Sequence, residues 1–245
     1  MTDIERLGKI LAESSSAVFF GGAGMSTESG IPDFRSANGI YNQKLHKTFA
    51  PEEMASHNFF MNHPEEFFAF YRERIVYLDA KPNAGHLALA ELERRGVLSA
   101  VVTQNIDGLH QLAGSKVVYE LHGSIRRSFC VKCGAKYDIE FVMENKPVPH
   151  CHCGGIVKPD VVLYGENLDD ATVANSIRAI ARADTLIVGG TSLIVYPAAG
   201  LIDYFRGRHL ILINKTATRA DSDAELVIRG PIGKTLAEAV KEAFG

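Results

Sequence analysis

Apolar side chains recur at helical spacing at Ile4, Leu7, Ile10 and Leu11 and then merge into the continuous run Ala17 to Phe20, which predicts an amphipathic helix feeding a buried strand. The same alternation repeats downstream. Leu87, Leu89, Ala90 and Leu92 predict a helix that ends at Gly96, followed by a strand over Leu98 to Val102 and a further strand at VVYE, 117–120. The short apolar runs 185–188, 210–213 and 226–228 are separated by helical candidates near 170–182, 197–205 and 232–243. Unbroken apolar strands alternating with helices predict an α/β fold with a Rossmann-like, doubly wound parallel sheet. In such a sheet ligands bind beyond the carboxyl ends of the strands.

Two stretches interrupt the pattern. Residues 36–80 hold six of the thirteen Phe, together with Tyr41, Tyr71 and Tyr77, and show no clear strand, so they read as a helical insertion whose rings mostly fill a local core. Residues 124–158 contain all four cysteines and little apolar periodicity, as expected of a small module that burial alone does not hold together. The expected division is a large domain from 1–35, 81–123 and 159–245, the insertion 36–80, and the small module 124–158.

The strand ends carry the candidate chemistry. After AVFF come Gly21, Gly22 and Gly24, which allow a sharp turn and a close backbone approach to a phosphate. The loop departs from the dinucleotide fingerprint, because Thr27 stands at the third glycine position and no acidic residue ends a second strand about 20 residues on. After Val102 comes TQNID, with Gln104 and Asn105 suited to orient a ribose hydroxyl or a water and Asp107 suited to accept from an amide. His110 one turn later reads as a buried, hydrogen-bonded histidine. His122, after VVYE and before Gly123, reads as a general base.

Cys130 and Cys133 form a C-x-x-C pair, and Cys151 and Cys153 form a C-x-C pair after seventeen intervening residues. Two knuckles at this separation suit one tetrahedral zinc ion better than a disulfide or a redox pair. His150 and His152 are alternative ligands, four thiolates being the simpler set. Four protein ligands leave no open position, so the zinc is expected to be structural.

Composition narrows the partners. The 245 residues are 46% hydrophobic, and 26 basic against 29 acidic residues give a net charge of -3, which offers no broad nucleic-acid or membrane surface. The acidic N-terminus lacks a signal-peptide pattern, and no apolar stretch approaches the roughly 18 residues of a membrane span, so a cytoplasmic protein is expected. Nothing in the pattern predicts a dimer interface.

Taken in order, GAGMSTESGIPDFR, TQNIDGLH, LHG, the two cysteine pairs, GTSLIVYPAA and LINK resemble the sirtuin family of NAD-dependent protein lysine deacylases over nearly the whole chain, bacterial members in particular. The resemblance implies a Rossmann-type domain, a zinc ribbon, and a cleft between them for NAD and an acyl-lysine peptide. By motif, Ala23, Thr27 and Arg35 hold phosphates and the nearby ribose, and Phe34, Ile106 and Asp107 form the nicotinamide pocket. Gln104 and Asn105 position the nicotinamide ribose and a water, Thr191, Ser192 and Asn214 serve the adenosine side, and Ile232 contacts adenine. It further implies that the acyl oxygen displaces nicotinamide, that His122, with Asn105 as the other catalytic residue, acts as base for a ribose hydroxyl, and that free lysine and acyl-ADP-ribose leave.

The peptide is implied to pair as a strand beside Val161 to Leu163, near Gly165 and Glu166, with Ser192 to Val195 opposite. Gly21 stands where many relatives have Thr. Tyr71 and Arg74 are similar to the Tyr-x-x-Arg pair by which some relatives hold succinyl or malonyl carboxylates; the plainer reading, a packing Tyr and a solvated Arg, is preferred. Deacetylation is the leading expectation. Removal of acidic or longer acyl groups, ADP-ribosyl transfer to protein, and an NAD-sensing zinc-ribbon binding protein are the alternatives.

Overall fold

A computed structural model describes residues 1–34, 39–40 and 49–245. Helix α1 (Asp3–Glu13) begins with a capping box in which Thr2 and Glu5 satisfy each other's backbone amides. It leads into β1 (Ala17–Gly21), whose five residues are all buried. Two 3₁₀ turns follow at Ala23–Met25 and Thr27–Ser29. The aromatic insertion forms α2 (Pro51–Met54), α3 (His57–Asn62) and α4 (Pro64–Phe70), continued by a π-helical turn over Tyr71–Ile75.

Helix α5 (Ala84–Arg94), capped by Asn83, precedes β2 (Leu98–Thr103), the short α6 (Leu109–Leu112) and β3 (Val118–Glu120). Next come β4 (Gly123–Cys130), β5 (Lys136–Asp138), α7 (Ile139–Glu144) and β6 (Val157–Val161). The chain ends with α8 (Asp170–Arg182), β7 (Thr185–Gly189), a 3₁₀ helix at Ala198–Tyr204, β8 (His209–Ile213), β9 (Leu226–Ile228) and α9 (Ile232–Phe244).

The large sheet is parallel throughout, in the order β3-β2-β1-β7-β8-β9. The chain builds outward from β1 in one direction and then returns to add β7 on its other side, so the order reverses at β1 and a crevice opens above it. Side chains of β1 alternate between two cores. Phe19 joins Leu7, Leu11, Leu89 and Leu236 under α1, α5 and α9, whereas Val18 and Phe20 join Ile180, Leu186 and Ile202 under α8 and the 3₁₀ helix. Both faces of the sheet are covered, which explains why its strands read as unbroken apolar runs.

The small sheet is antiparallel, in the order β5-β4-β6, and its strands span 123–161. Its core is shared with the insertion: Phe60, Phe67, Phe68 and Tyr71 pack with Ile125, Ile139, Val142 and Val157. Neither element buries enough apolar surface by itself, and together they form one core. No helix among the described residues is long and apolar enough to cross a membrane.

Candidate active site and metal centre

The crevice above β1 is a cavity of about 620 Å³ lined by loops of both sheets and by the insertion. Its walls include Ala23, Thr27, Phe34, Gln104, Asn105, Ile106, Asp107, His122, Thr191, Ser192, Asn214 and Ile232, as well as Val161, Val195 and Tyr71. Arg35 lies outside the described residues. Arg74 is not among the lining residues; it pairs at 2.9 Å with its neighbour Glu73.

Close backbone packing brings the glycine loop into place. The Gly24 amide donates to Gly190 O at 2.8 Å, and a Cβ on Gly24 would lie 2.7 Å from the Gly190 Cα. The loops after β1 and β7 therefore touch through main chain alone, which only glycine permits. Glu28, just beyond, sends its carboxylate to the first turn of α9, accepting from the amides of Gly233 at 2.7 Å and Lys234 at 3.2 Å. It supplies the cap that Pro231 lacks. Ile232 is thereby fixed at the cavity wall.

A polar chain runs along the ends of β1 and β2. Asn105 Nδ2 donates to Ser26 Oγ at 3.1 Å, and Ser26 Oγ donates to Asp107 Oδ2 at 2.6 Å. Asp107 Oδ1 accepts from the Leu109 amide at 2.8 Å. Burial pushes the Asp107 carboxyl up, against the opposing pull of Ser26, Leu109 and Arg126. Gln104 Nε2 donates to Thr191 Oγ1 at 3.0 Å, and the Thr191 amide donates to Asn214 Oδ1 at 3.1 Å, which ties the ends of β2, β7 and β8 together.

His122 sits 3.0 Å from Gln104 O through Nδ1. A carbonyl only accepts, so Nδ1 carries the proton and the lone pair of the neutral ring is on Nε2. Burial lowers the His122 pKa, partly offset by that hydrogen bond, and the ring is a free base at neutral pH. Gly123, at φ +75°, lets β4 start directly against Asp160, where a Cβ would collide with the carbonyl.

Ser26 is the residue that sequence reasoning did not single out. Its signal was its position between Ala23 and Thr27 in the glycine loop; its partners 79 and 81 residues away gave none. His110 is buried as expected, but neither ring nitrogen finds a hydrogen-bond partner among the described residues; it packs against His86, with ring centroids 4.8 Å apart. The hydrogen-bonded expectation fails because its neighbours here are rings. Tyr71 stacks on Phe67 at 6.0 Å with its hydroxyl unpartnered among the described residues.

The four cysteine sulfurs lie within 4.8 Å of one another, with Cys130–Cys153 and Cys133–Cys151 both at 3.5 Å. A disulfide would need about 2 Å. Zn–S bonds of about 2.3 Å in a tetrahedron place sulfurs about 3.8 Å apart, so the set fits a zinc ion with all four positions filled by protein. Cys130 ends β4, Cys133 lies in the turn before β5, and Cys151 and Cys153 lie in the loop before β6; none of them lines the cavity.

The chain resembles known proteins in sequence and in fold. A family model described as the Sir2 family matches residues 22–197. The chain is 64% identical to an NAD-dependent protein deacetylase of Clostridium acetobutylicum over 95% of its own length and 96% of the relative's, and 61% identical to one of Clostridium perfringens over 97% and 98%. Among solved structures, a Sir2 protein with a deacetylated p53 peptide and 3′-O-acetyl ADP-ribose superposes with a TM-score of 0.90 at 39% identity, covering 98% of both chains. A Sir2 complex with p53 peptide and NAD+ gives 0.86 at 40% identity, covering 99% and 98%.

Proposed function

The chain belongs to the Sir2, or sirtuin, family, and from that premise we propose how its residues divide the work of NAD-dependent protein deacetylation. The protein is an NAD-dependent protein-lysine deacetylase that moves the acetyl group to ADP-ribose and releases nicotinamide, with a structural zinc ion held by four cysteines. NAD supplies the ribose carbon that accepts the acyl oxygen.

His122 acts as general base through Nε2, its orientation fixed by Gln104 O. This observation carries the assignment, because it leaves a neutral base at the cavity wall beside the Asn105–Ser26–Asp107 chain. Asn105 and Gln104 orient the nicotinamide ribose and a water, while Asp107, Ile106 and Phe34 enclose the nicotinamide and exclude bulk water. Ala23, Thr27 and Arg35 take the phosphate side. Thr191, Ser192, Asn214 and Ile232 take the adenosine side.

The acyl-lysine peptide enters along Val161 and Val195, the substrate class seen with Sir2 structures bearing p53 or propionylated peptides. Pairing through main chain gives affinity with broad sequence tolerance. Because Arg74 turns to Glu73, Tyr71 stands in the cavity without the guanidinium needed to hold an acidic acyl group, and acetyl is the favoured substrate. The NAD-binding part takes 1–35, 81–123 and 159–245, with 36–80 as insertion and 124–158 as zinc ribbon. Thiols suited to zinc support a cytoplasmic setting, and the net charge of -3 supports a protein rather than nucleic-acid partner.

The test is incubation with acetyl-lysine peptide and NAD, following nicotinamide, free-lysine peptide and acetyl-ADP-ribose by mass spectrometry. Equimolar appearance of all three is expected; nicotinamide without deacetylated peptide would move the reading to ADP-ribosyl transfer or NAD hydrolysis. A panel of succinyl and longer acyl peptides checks the acyl preference.

A further inference from the structure

Lys158 is a buried cation on β6, only 5% exposed and with its ammonium over the Phe129 ring at 5.7 Å. A buried charge of this kind persists only when its donors are matched. All three are: Nζ donates to Val161 O at 2.8 Å, to Glu166 Oε2 at 3.0 Å and to Pro159 O at 3.4 Å. Glu166 is equally occupied, for the same Oε2 accepts from the Leu163 amide at 2.9 Å and Oε1 meets His57 Nδ1 at 2.8 Å. Burial opposes its ionisation, yet the donors of Leu163, His57 and Lys158 hold its pKa below the ordinary value.

These contacts converge on one stretch of main chain. The Glu166 amide closes a turn onto Leu163 O at 2.9 Å, Gly165 takes φ +90°, and the His57 amide donates to Tyr164 O at 2.9 Å. Every residue from Val161 to Glu166 lines the cavity. The zinc sheet, through Lys158 of β6, and the aromatic insertion, through His57 at the start of α3, therefore meet at the Glu166 carboxylate, beside the main-chain bonds that tie Tyr164 to Ala55 and His57.

We propose that Lys158 and Glu166 are positioning residues for the peptide: their ion pair sets the shape of segment 161–166, so that losing either charge is felt at the peptide site and not at the NAD site. The inference rests on the reading of this segment as the peptide-pairing strand.

The experiment measures KM for an acetyl-lysine peptide and for NAD separately, together with zinc content, in Glu166→Gln, Lys158→Met and the double variant. Each single variant should raise the peptide KM about tenfold or more, since one buried polar group loses its partner. The NAD KM should stay within about twofold. The double variant, with no unpaired charge, should recover much of the loss. Folded single variants with an unchanged peptide KM, equal rises in both KM values, or a double variant as impaired as the product of the singles would each overturn the proposal.

Glu166→Gln is isosteric and decides the matter if Lys158→Met fails to fold. Hydrogen exchange at the Leu163 amide, expected to quicken in Glu166→Gln, reads the turn without any turnover; unchanged exchange there counts against the proposal. If the native protein does not deacetylate the peptide while this exchange still quickens, the functional reading fails and the positioning of the segment stands.

Discussion

The hydroxyl of Ser26 donates a 2.6 Å hydrogen bond to the carboxylate of Asp107 across 81 residues of chain, and its own oxygen is occupied by Asn105. A hydroxyl that both donates and accepts is locked in rotation, so the glycine loop and the end of β2 move as one piece. Ser26→Ala removes the donor and leaves two buried polar groups short of a partner. A loss of about 10- to 100-fold in kcat/KM is expected, corresponding to roughly 1.5–3 kcal/mol for a hydrogen bond to a charged group. Because Ser26 pulls the Asp107 carboxyl down, its loss lets burial push that group further up. Steady-state kinetics across pH on the alanine variant check both points.

For His122 the expectation is a split between binding and turnover. His122→Ala should lower kcat about 10²–10⁴-fold while NAD affinity measured by calorimetry is retained. Burial holds the His122 pKa below 6.5, so the base stays unprotonated at neutral pH and the rate should fall only once acidity passes below that ordinary value. An acid limb above pH 6.5, or near-normal turnover in the alanine variant, would remove His122 from the base role.

Buried His86 and His110 make the fold acid-sensitive. Burial lowers His86 to about 4, and burial followed by the neighbouring His86 lowers His110 to about 3, so both are neutral in the native state at pH 7. Between pH 6.5 and 4 the unfolded chain binds protons that the native state refuses, and stability is lost as pH falls through that window. His86 alone accounts for roughly 3 kcal/mol at pH 4. Urea midpoints between pH 7 and 5 should drop steeply, and His110→Leu should flatten the slope.

Zinc removal should act on structure first. Stripping the metal leaves four cysteines converging without a cation to join the β4–β5 turn to the loop before β6. Hydrogen exchange should show 124–158 losing protection while β1 and β7 keep theirs. Retention of protection in the metal-free protein would contradict a structural zinc site.

Replacing Glu28 by Gln should loosen α9 by about 1 kcal/mol, the usual worth of a cap, because the first-turn amides of Gly233 and Lys234 lose a charged acceptor. Thermal denaturation reads the change. A Pro231→Ser partner substitution, which supplies a local cap, should restore the stability.

What the sequence made legible follows from burial. The strands at 17–21, 98–103 and 185–189 stand out because both faces are covered and most positions are apolar, the exposed Ser99 of β2 being the exception to burial. The glycine loop, TQNID, His122 and the cysteine pairs stand out by local pattern, and the fold brings the first three to one cavity and the cysteines to one cluster. Helix α7 escaped notice although Asp138 caps it and Ile139 and Val142 anchor it; six residues among the cysteines give too few turns for a period to show. The pairings Ser26–Asp107, Glu28–α9 and Lys158–Glu166 join residues that are ordinary in their own surroundings. Such pairings belong to the fold and leave no local trace. His110 shows the reverse, a polar residue whose neighbours in space are rings.

In the large sheet, Gly21 pairs with Thr103 on one side and with Gly189 on the other, and Gly189 pairs in turn with Ile213. Four loops thus depart from a single row of residues, and the sheet works as a ruler against which they are measured. Insertions or deletions should be tolerated very unevenly as a result. A residue gained or lost inside β1, β2, β7 or β8 displaces one loop by a full step and turns its neighbours to the opposite face, whereas a change of length in a connection on the far side of the sheet leaves the row intact.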